Sequence, residues 1–179
     1  MEQVPCSPRR QDSVGKLQRS ALTMTTITAP TTTAAATTPM TTAEFLGHKK
    51  LALMRLSAQT PVMGDMKKEL VPKGYEISVV YLKAGESDPT IEQVKDAVEG
   101  AIISVPRSEC AAAVREAIQA GIPRLWLQSG CDSQEAIALC EEAGVPVIHG
   151  ACVLMYAQPV QSVHRFHRAI WRMCGLLQK

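Results

Sequence analysis

Basic and hydroxyl side chains follow several short apolar runs of this chain, at points where a strand would end. The first such segment, RLSAQT, holds the candidate residues Arg55, Ser57, Ala58, Gln59 and Thr60. Lys83 follows a second apolar run, and Arg107 follows a third. Guanidinium groups bind phosphate oxygens as a planar fork, and hydroxyl groups add further hydrogen bonds. These residue types predict recognition of an anionic ligand, above all a phosphate.

The segment from residue 98 to residue 130 indicates how such side chains are positioned. It reads VEGAIISVPRSECAAAVREAIQAGIPRLWLQSG, in which AIISV and RLWLQ are apolar runs typical of parallel strands covered on both faces. The residues between them predict an amphipathic helix that ends at Gly121. Its apolar stripe is predicted to consist of Ala112, Val114, Ala117 and Ile118. We therefore interpret the segment as a βαβ unit.

A βαβ unit places its ligand site at the carboxyl ends of its strands. Here those ends read Val105-Pro106-Arg107 and Gln128-Ser129-Gly130. Helix N-termini meet at the same edge of the sheet, and their free N–H groups and positive dipole ends favour anions. The candidate phosphate cradle therefore combines Ser57 to Thr60 with Val105 to Ser108. Lys83 is expected to meet a ribose or phosphate group.

Several of these residues also have a purely structural interpretation. In that interpretation Thr60 and Ser108 are helix caps and nothing more, and Lys83 is a solvated loop residue. A dinucleotide site usually carries G-x-G-x-x-G after its first strand, whereas this chain reads RLSAQTPVMG. Arg55 stands where close approach of a ligand would favour a glycine. Its guanidinium either binds a phosphate or fills the pocket, and the residues leave both alternatives open.

The rest of the chain continues the alternation of strands and helices. Further strands are predicted at residues 51–56, 75–82 and 146–150. Helices are predicted from a Thr60 cap and Pro61 to about Lys73, from a Thr90–Gln93 capping box to about Val98, from an Asp132–Glu135 box to Gly144, and over 160–175. Pro72 is expected to truncate the last turn of the first of these. Five strands joined through helices by short loops predict an α/β domain with one open, mostly parallel sheet.

The N-terminal part of the 179 residues differs from the rest in composition. Residues 23–42 read TMTTITAPTTTAAATTPMTT, a Thr/Ala/Pro-rich tract that cannot bury enough apolar surface to fold. We therefore predict a disordered tail over 1–43, or an over-extended start with Met24 or Met40 as the initiator, and a domain over 44–179. A transit peptide is the alternative, since the tail is rich in hydroxyl residues and contains arginines.

Charge and cysteine content limit the class of protein. A net charge of +2 does not predict nucleic-acid binding, and the chain has no apolar run of the roughly 20 residues that a membrane span needs. The six cysteines lack CxxC or metal-ligand spacing, so we expect a cytoplasmic protein with reduced thiols and no metal site. Cys131 and Cys152 follow predicted strand ends, where a helix N-terminus could make a thiol reactive. The basic cluster at 164–172 is interpreted as a solvated helix face.

The sequence contains few arrangements typical of catalysis. It has no GxSxG motif and no paired carboxylates at a plausible site. His149 lies near Cys152 in the sequence, which leaves a Cys/His pair conceivable, although a lone His at a strand end is more often simply hydrogen-bonded. We therefore expect a protein that is not an enzyme.

At these residues the chain resembles the small stand-alone CoA-binding domain proteins, whose fold is related to the CoA-binding domain of the succinyl-CoA synthetase α subunit. The resemblance runs from about Glu44 to Lys179 and rests on FLGHKKLALMRLS, KGYEISVVYLKAGE, the 98–130 segment, PVIHGACVLMYAQPV and HRFHRAIWRMCGLLQK. It implies a Rossmann-like three-layer domain that holds coenzyme A (CoA), or an acyl-CoA, in its crevice. The positions that match the family pattern are Ser57, Lys83, Val105, Pro106, Gln128 and Gly130.

The chain departs from the family pattern at two places near the nucleotide. Arg55 replaces a glycine in the first turn, and Tyr81-Leu82-Lys83 replaces Asn-Pro-Lys. The leading prediction is non-catalytic binding of CoA or a related adenine nucleotide at the carboxyl edge. The alternative is a degenerate scaffold in which Arg55 and Leu82 close the pocket and the chain binds a protein partner or a second copy, as a homodimer. An enzyme acting on an acyl-CoA, or using a nicotinamide cofactor, is the third and least favoured prediction.

Overall fold

The computed structural model describes residues 40–58, 65–160 and 162–175. The predicted tail up to residue 39, and the candidate residues Gln59 and Thr60, lie outside this part of the chain. The helices and strands are, in chain order, α1 (Thr42–Gly47), β1 (Lys50–Arg55), α2 (Met66–Leu70), β2 (Glu76–Tyr81), α3 (Ile91–Val94), β3 (Gly100–Ser104), α4 (Arg107–Gln119), β4 (Leu125–Gln128), α5 (Gln134–Glu142), β5 (Val147–Ala151) and α6 (Ser162–Met173). Short 3-10 turns cover Val71–Lys73, Lys95–Ala97 and Val153–Met155.

The five strands form one parallel sheet in the order β2-β1-β3-β4-β5, which confirms the predicted α/β architecture. Strand β1 lies between β2 and β3, so the chain adds strands first on one side of β1 and then on the other. In sheets of this kind the point of reversal is where ligands bind, beyond the carboxyl ends of the two strands involved. The order therefore directs attention to the ends of β1 and β3.

Helices cover both faces of the sheet because successive strand residues point to opposite sides. Leu51 and Leu53 of β1 pack in one core cluster, with side chains of α1, α2 and the turn Val153–Met155. Ala52 and Met54 pack in a second cluster, with side chains of α3, α4 and α5. The result is the expected Rossmann-like three-layer arrangement.

Trp126 of β4 lies at the centre of the first cluster. Its side chain is fully buried and its ring lies edge-on to Phe45 and Tyr156, at centroid distances of 5.4 and 5.9 Å. The indole Nε1–H donates a hydrogen bond to the Ala151 carbonyl at 3.0 Å, which leaves no indole polar atom unpaired. A single side chain thus joins α1, β4 and the segment after β5.

The prediction of one continuous helix from Pro61 to about Lys73 is corrected at Asp65. The helix begins at Met66 instead, because the Asp65 carboxylate accepts a hydrogen bond from the Lys68 N–H and the Asp65 backbone is extended. Pro61 lies outside the described residues. Pro72 falls in the 3-10 turn Val71–Lys73, so the α-helix does end before it, as expected.

Two further details of the predicted helices are corrected. Helix α5 is capped by Ser133, whose hydroxyl accepts from the Ala136 N–H, whereas Asp132 accepts from the Gly130 N–H. Ala112 is exposed rather than part of the apolar stripe of α4. The buried stripe of α4 consists of Cys110, Ala111, Ala113, Val114 and Ala117. The cause is the 3.6-residue period, which places position 112 on the opposite side of the helix from 110, 114 and 117.

Within the described residues, no helix combines the length and the apolar character needed to cross a lipid bilayer.

Candidate functional site

The candidate site is the crevice at the carboxyl ends of β1 and β3. The chain leaves β1 toward α2, whose Met66 and Leu70 pack on one face of the sheet. It leaves β3 toward α4, whose Val114 and Ala117 pack on the other face. Because α2 and α4 lie on opposite faces, a crevice is expected above the ends of these two strands.

Three side chains of one face line up across the ends of β2, β1 and β3. Arg55 is paired in register with Tyr81 on one side and with Ser104 on the other. The Arg55 guanidinium carbon lies 5.9 Å from the centroid of the Tyr81 ring, within reach of a cation–π interaction. Arg55 is half-buried. The two departures from the family pattern, at Arg55 and at Tyr81, are therefore in contact with each other.

Leu82 does not take part in this row of side chains. It packs against the core cluster of the opposite face, together with Leu56. The alternative in which Arg55 and Leu82 close the pocket together requires both side chains on the same face of the sheet. They lie on opposite faces. Ser57 is half-buried and Ala58 is exposed just beyond β1.

Lys83 lies at this edge, as predicted, and its ammonium group is paired within the chain. The Lys83 N–H donates to the Leu56 carbonyl at 2.8 Å, which extends the β1–β2 pairing beyond the strands. The Lys83 Nζ lies 2.7 Å from Glu109 Oε1 in the first turn of α4. The lysine side chain is 60% exposed and that of Glu109 28%, so water screens the pair. This ion pair links the segments after the two strands that flank β1.

The N-terminus of α4 faces the crevice without a capping side chain. Pro106 is its N-cap residue, and no side chain among the described residues caps this end with a hydrogen bond. Helices α1, α2 and α5, by contrast, are capped by Thr41, Asp65 and Ser133. The exposed first residues Arg107 and Ser108 therefore present uncapped N–H groups at the positive end of a 13-residue helix. Such an end is suited to an anion.

Gln128, at the end of β4, is engaged with the segment after β5. Its Nε2 donates to Cys152 Sγ at 3.0 Å, and its Oε1 accepts from the Val153 N–H at 3.1 Å. The nitrogen and the oxygen of the side-chain amide thus both have protein partners, which gives Gln128 a structural role. The suggested pairing of Cys152 with His149 stays a prediction.

Gly130 lies in a tight turn next to Gln128. The Cys131 N–H donates to the Gln128 carbonyl at 2.9 Å, and Gly130 has a φ of +88°. A side chain at this position would be strained, so the turn itself requires the glycine. Val105 is buried in the core cluster together with side chains of α4, so its side chain has a packing role.

The candidate residues are therefore divided between the crevice and its margin. Those gathered at the ends of β1, β2 and β3 are Arg55, Ser57, Ala58, Lys83, Val105, Pro106 and Arg107. Gln128 and Gly130 lie one strand further along, after β4. Sequence reasoning named Tyr81 as a departure from the family pattern but missed its contact with Arg55, and it missed Glu109 altogether. An acidic residue in the first turn of a helix is a common feature, and it could have suggested Glu109 as a partner for Lys83.

Comparison with known proteins gives a family for this fold and site. No curated protein matches the chain. A solved conserved hypothetical protein from Pyrococcus furiosus is 28% identical, with a TM-score of 0.50 over 59% of this chain and 96% of that one. A hypothetical protein from Pyrococcus horikoshii OT3 is 24% identical, with a TM-score of 0.57 over 66% and 89%, and shows the same fold. The family model for the CoA binding domain matches residues 61–158, which is more than half of the chain and includes the exits of β2, β3 and β4. On this match the chain belongs to the CoA binding domain family.

Proposed function

We propose that this protein binds CoA, or an acyl-CoA, in the crevice between β1 and β3 without catalysing a reaction on it. The observation that carries the proposal is the uncapped N-terminus of α4, which lies at the point where the strand order reverses, in a chain of the CoA binding domain family. CoA carries a pyrophosphate and a further phosphate on its ribose. Uncapped N–H groups at a helix N-terminus are a common site for such groups.

The residues around the crevice supply complementary charge. The N–H groups of Arg107 and Ser108 would hold the pyrophosphate, and the guanidinium groups of Arg55 and Arg107 would neutralise it. The hydroxyl of Ser57 would add a hydrogen bond on the β1 side. Lys83 would meet the remaining phosphate once its ammonium group is shared between Glu109 and the ligand. The pantetheine arm would run along the strand ends toward Gly130.

The chemistry of these side chains supports binding rather than catalysis. Arginine guanidinium groups stay protonated near neutral pH and so do not act as a general acid or base, and a serine hydroxyl needs an adjacent base to become a nucleophile. Glu109, a carboxylate in the first turn of α4, is paired with Lys83. We therefore assign the residues to recognition of the ligand.

A thermal-shift titration of the full-length chain with CoA, acetyl-CoA, ATP and NAD tests the proposal. A ligand at about 100 times its dissociation constant adds roughly 2.7 kcal/mol to the free energy of unfolding. We expect CoA and acetyl-CoA to raise the melting temperature by several degrees, and NAD to leave it unchanged. An equal shift with ATP would restrict recognition to the adenine nucleotide half. No shift with any of the four compounds would refute the proposal.

The Lys83–Glu109 pair gives a second prediction for the same site. Replacing Glu109 with glutamine is expected to tighten CoA binding about two- to five-fold, because it removes a negative charge beside the phosphates. Replacing Lys83 with alanine is expected to weaken binding by a similar factor. Both effects should shrink as salt concentration rises. Glu86→Gln, in the exposed loop after Lys83, is the matched control and should leave the dissociation constant unchanged.

A degenerate scaffold that binds a protein partner is the second candidate. It is favoured by the intramolecular partners of three candidate residues, namely Tyr81 for Arg55, Glu109 for Lys83, and Cys152 with Val153 for Gln128. This function predicts no response to CoA from the unmodified chain, and a gain of CoA binding after Arg55→Gly. Titration of that variant beside the unmodified chain separates the two functions.

A further inference from the structure

Two buried thiols are in contact beside the crevice. Cys110 lies in the first turn of α4, and Cys131 follows Gly130 in the turn after β4. Their Sγ atoms are 3.3 Å apart, although the residues are 21 positions apart in the chain. Cys110 is fully buried and Cys131 is 4% exposed. Packing of α4 against the β4–α5 segment thus holds the two sulfur atoms in direct contact.

The surroundings of the two thiols differ. The hydrogen bond with Cys110 lowers the pKa of Cys131, and the Val105 backbone N–H and the Arg107 charge lower it further, against burial and the Asp132 charge, which raise it. The pKa of Cys110 is raised, because it shares its hydrogen bond with Cys131 and because it is buried. A thiol with a lowered pKa is the better nucleophile and is oxidised first. Cys131 is also the more accessible of the two thiols, 4% exposed against 0% for Cys110, so we take Cys131 as the attacking thiol and Cys110 as the resolving thiol.

The other cysteines of the described residues lack this combination. Burial raises the pKa of Cys140 in α5 to about 11, which keeps it in the unreactive thiol form. Cys152 is half-buried and its Sγ accepts a hydrogen bond from Gln128. Cys174 is exposed after α6. Cys140 is therefore the matched control for a buried thiol.

We propose that Cys110 and Cys131 are a modification site at which a peroxide forms an intramolecular disulfide. The Cys131 thiolate attacks one peroxide oxygen, the O–O bond breaks, and Cys131 becomes a sulfenic acid as the first water leaves. Cys110 then attacks the Cys131 sulfur, the S–S bond forms, the S–O bond breaks and the second water leaves. Two thiols lose two electrons and two protons in total, and one peroxide is reduced to two waters.

The geometry requires little movement for this reaction. The Sγ atoms need to approach from 3.3 Å to the disulfide bond length of about 2.0 Å. The bond would tie the first turn of α4 to the turn after β4. An external thiol would reverse it by exchange. This modification does not depend on whether the protein binds CoA.

Peptide mapping of the full-length chain tests the proposal. The protein is treated with hydrogen peroxide, its free thiols are alkylated under denaturing conditions, and the digest is analysed by mass spectrometry. We expect a linked peptide that contains Cys110 and Cys131, a loss of two of the six alkylatable thiols, and full recovery after dithiothreitol. Cys140 should remain alkylated. Bonds from either residue to Cys152 or Cys174, a mixed disulfide with added CoA, or oxidation of Cys131 to a sulfinic acid alone would each overturn the proposal.

Two variants test the order of the steps. Cys110→Ser removes the resolving thiol, so peroxide should leave a sulfenic acid at Cys131 that dimedone labels. Cys131→Ser should leave Cys110 unlabelled, and Cys140→Ser should form the disulfide as the unmodified chain does. Labelling of Cys110 in the Cys131→Ser variant would overturn the assignment of the attacking thiol. The peptide map of the unmodified chain stands even if a variant fails to fold.

Discussion

Replacing Arg55 with alanine is expected to weaken CoA binding by about 10- to 100-fold. Arg55 is half-buried and lies in register between Tyr81 and Ser104 at the ends of the strands, and its guanidinium carbon is 5.9 Å from the centroid of the Tyr81 ring. A pre-positioned guanidinium forms charge-assisted hydrogen bonds to phosphate oxygens, and each is worth roughly 1.5 to 3 kcal/mol. Isothermal titration of the full-length variant with CoA measures the change.

The matched control is Lys50→Ala. Lys50 begins the same strand at its opposite end, and its side chain is exposed. The Lys50→Ala substitution also removes one positive charge. An unchanged dissociation constant would therefore show that the Arg55 effect is local rather than due to net charge. Arg55→Lys should bind with intermediate affinity, because an ammonium group lacks the planar fork. Tighter binding by Arg55→Ala would contradict the contact and identify the guanidinium as an obstruction.

Replacing Trp126 with alanine is expected to lower the free energy of unfolding by about 3 to 5 kcal/mol. The fully buried indole contacts Phe45 and Tyr156 edge-on, and its Nε1–H satisfies the Ala151 carbonyl. The variant loses these ring contacts, leaves a cavity, and leaves the Ala151 carbonyl without its indole donor. Equilibrium unfolding in urea, followed by circular dichroism, measures the change.

Val71→Ala is the control for this measurement. Val71 is an apolar residue with 47% of its surface exposed, so its truncation should change the free energy of unfolding by less than about 0.5 kcal/mol. Trp126→Phe should fall between the two variants, since it keeps a ring but loses the hydrogen bond. A loss below about 1 kcal/mol for Trp126→Ala would be incompatible with the described core.

Much of the fold could be predicted because its signals are local. The runs LALMRL, AIISV and RLWLQ are strands β1, β3 and β4 within one residue at their ends, because a strand buried on both faces must be apolar throughout. The capping box of Thr90 and Gln93 opens α3 as predicted, because its hydrogen bonds join residues three apart. The alternation of these elements alone implied a parallel sheet and the edge at which to search.

The errors in the prediction also have local causes. Asp132 and Ser133 are both good capping residues, and sequence does not say which one will cap the helix and which one will close the turn at Gly130. The predicted apolar stripe of α4 likewise includes Ala112 beside Val114 and Ala117, although Ala112 is exposed. The choice between Asp132 and Ser133 depends on how the turn after β4 meets α5.

The contacts that define the candidate site were decided only by tertiary structure. Lys83 meets Glu109 across 26 residues, and Cys110 meets Cys131 across 21. Arg55 meets Tyr81, which belongs to the next strand in the sequence. Periodicity, caps and composition determine which elements form and which face of each is buried, since these depend on neighbours within a few residues. The partner of a polar side chain depends on strand order and register, which are set by packing of the whole sheet.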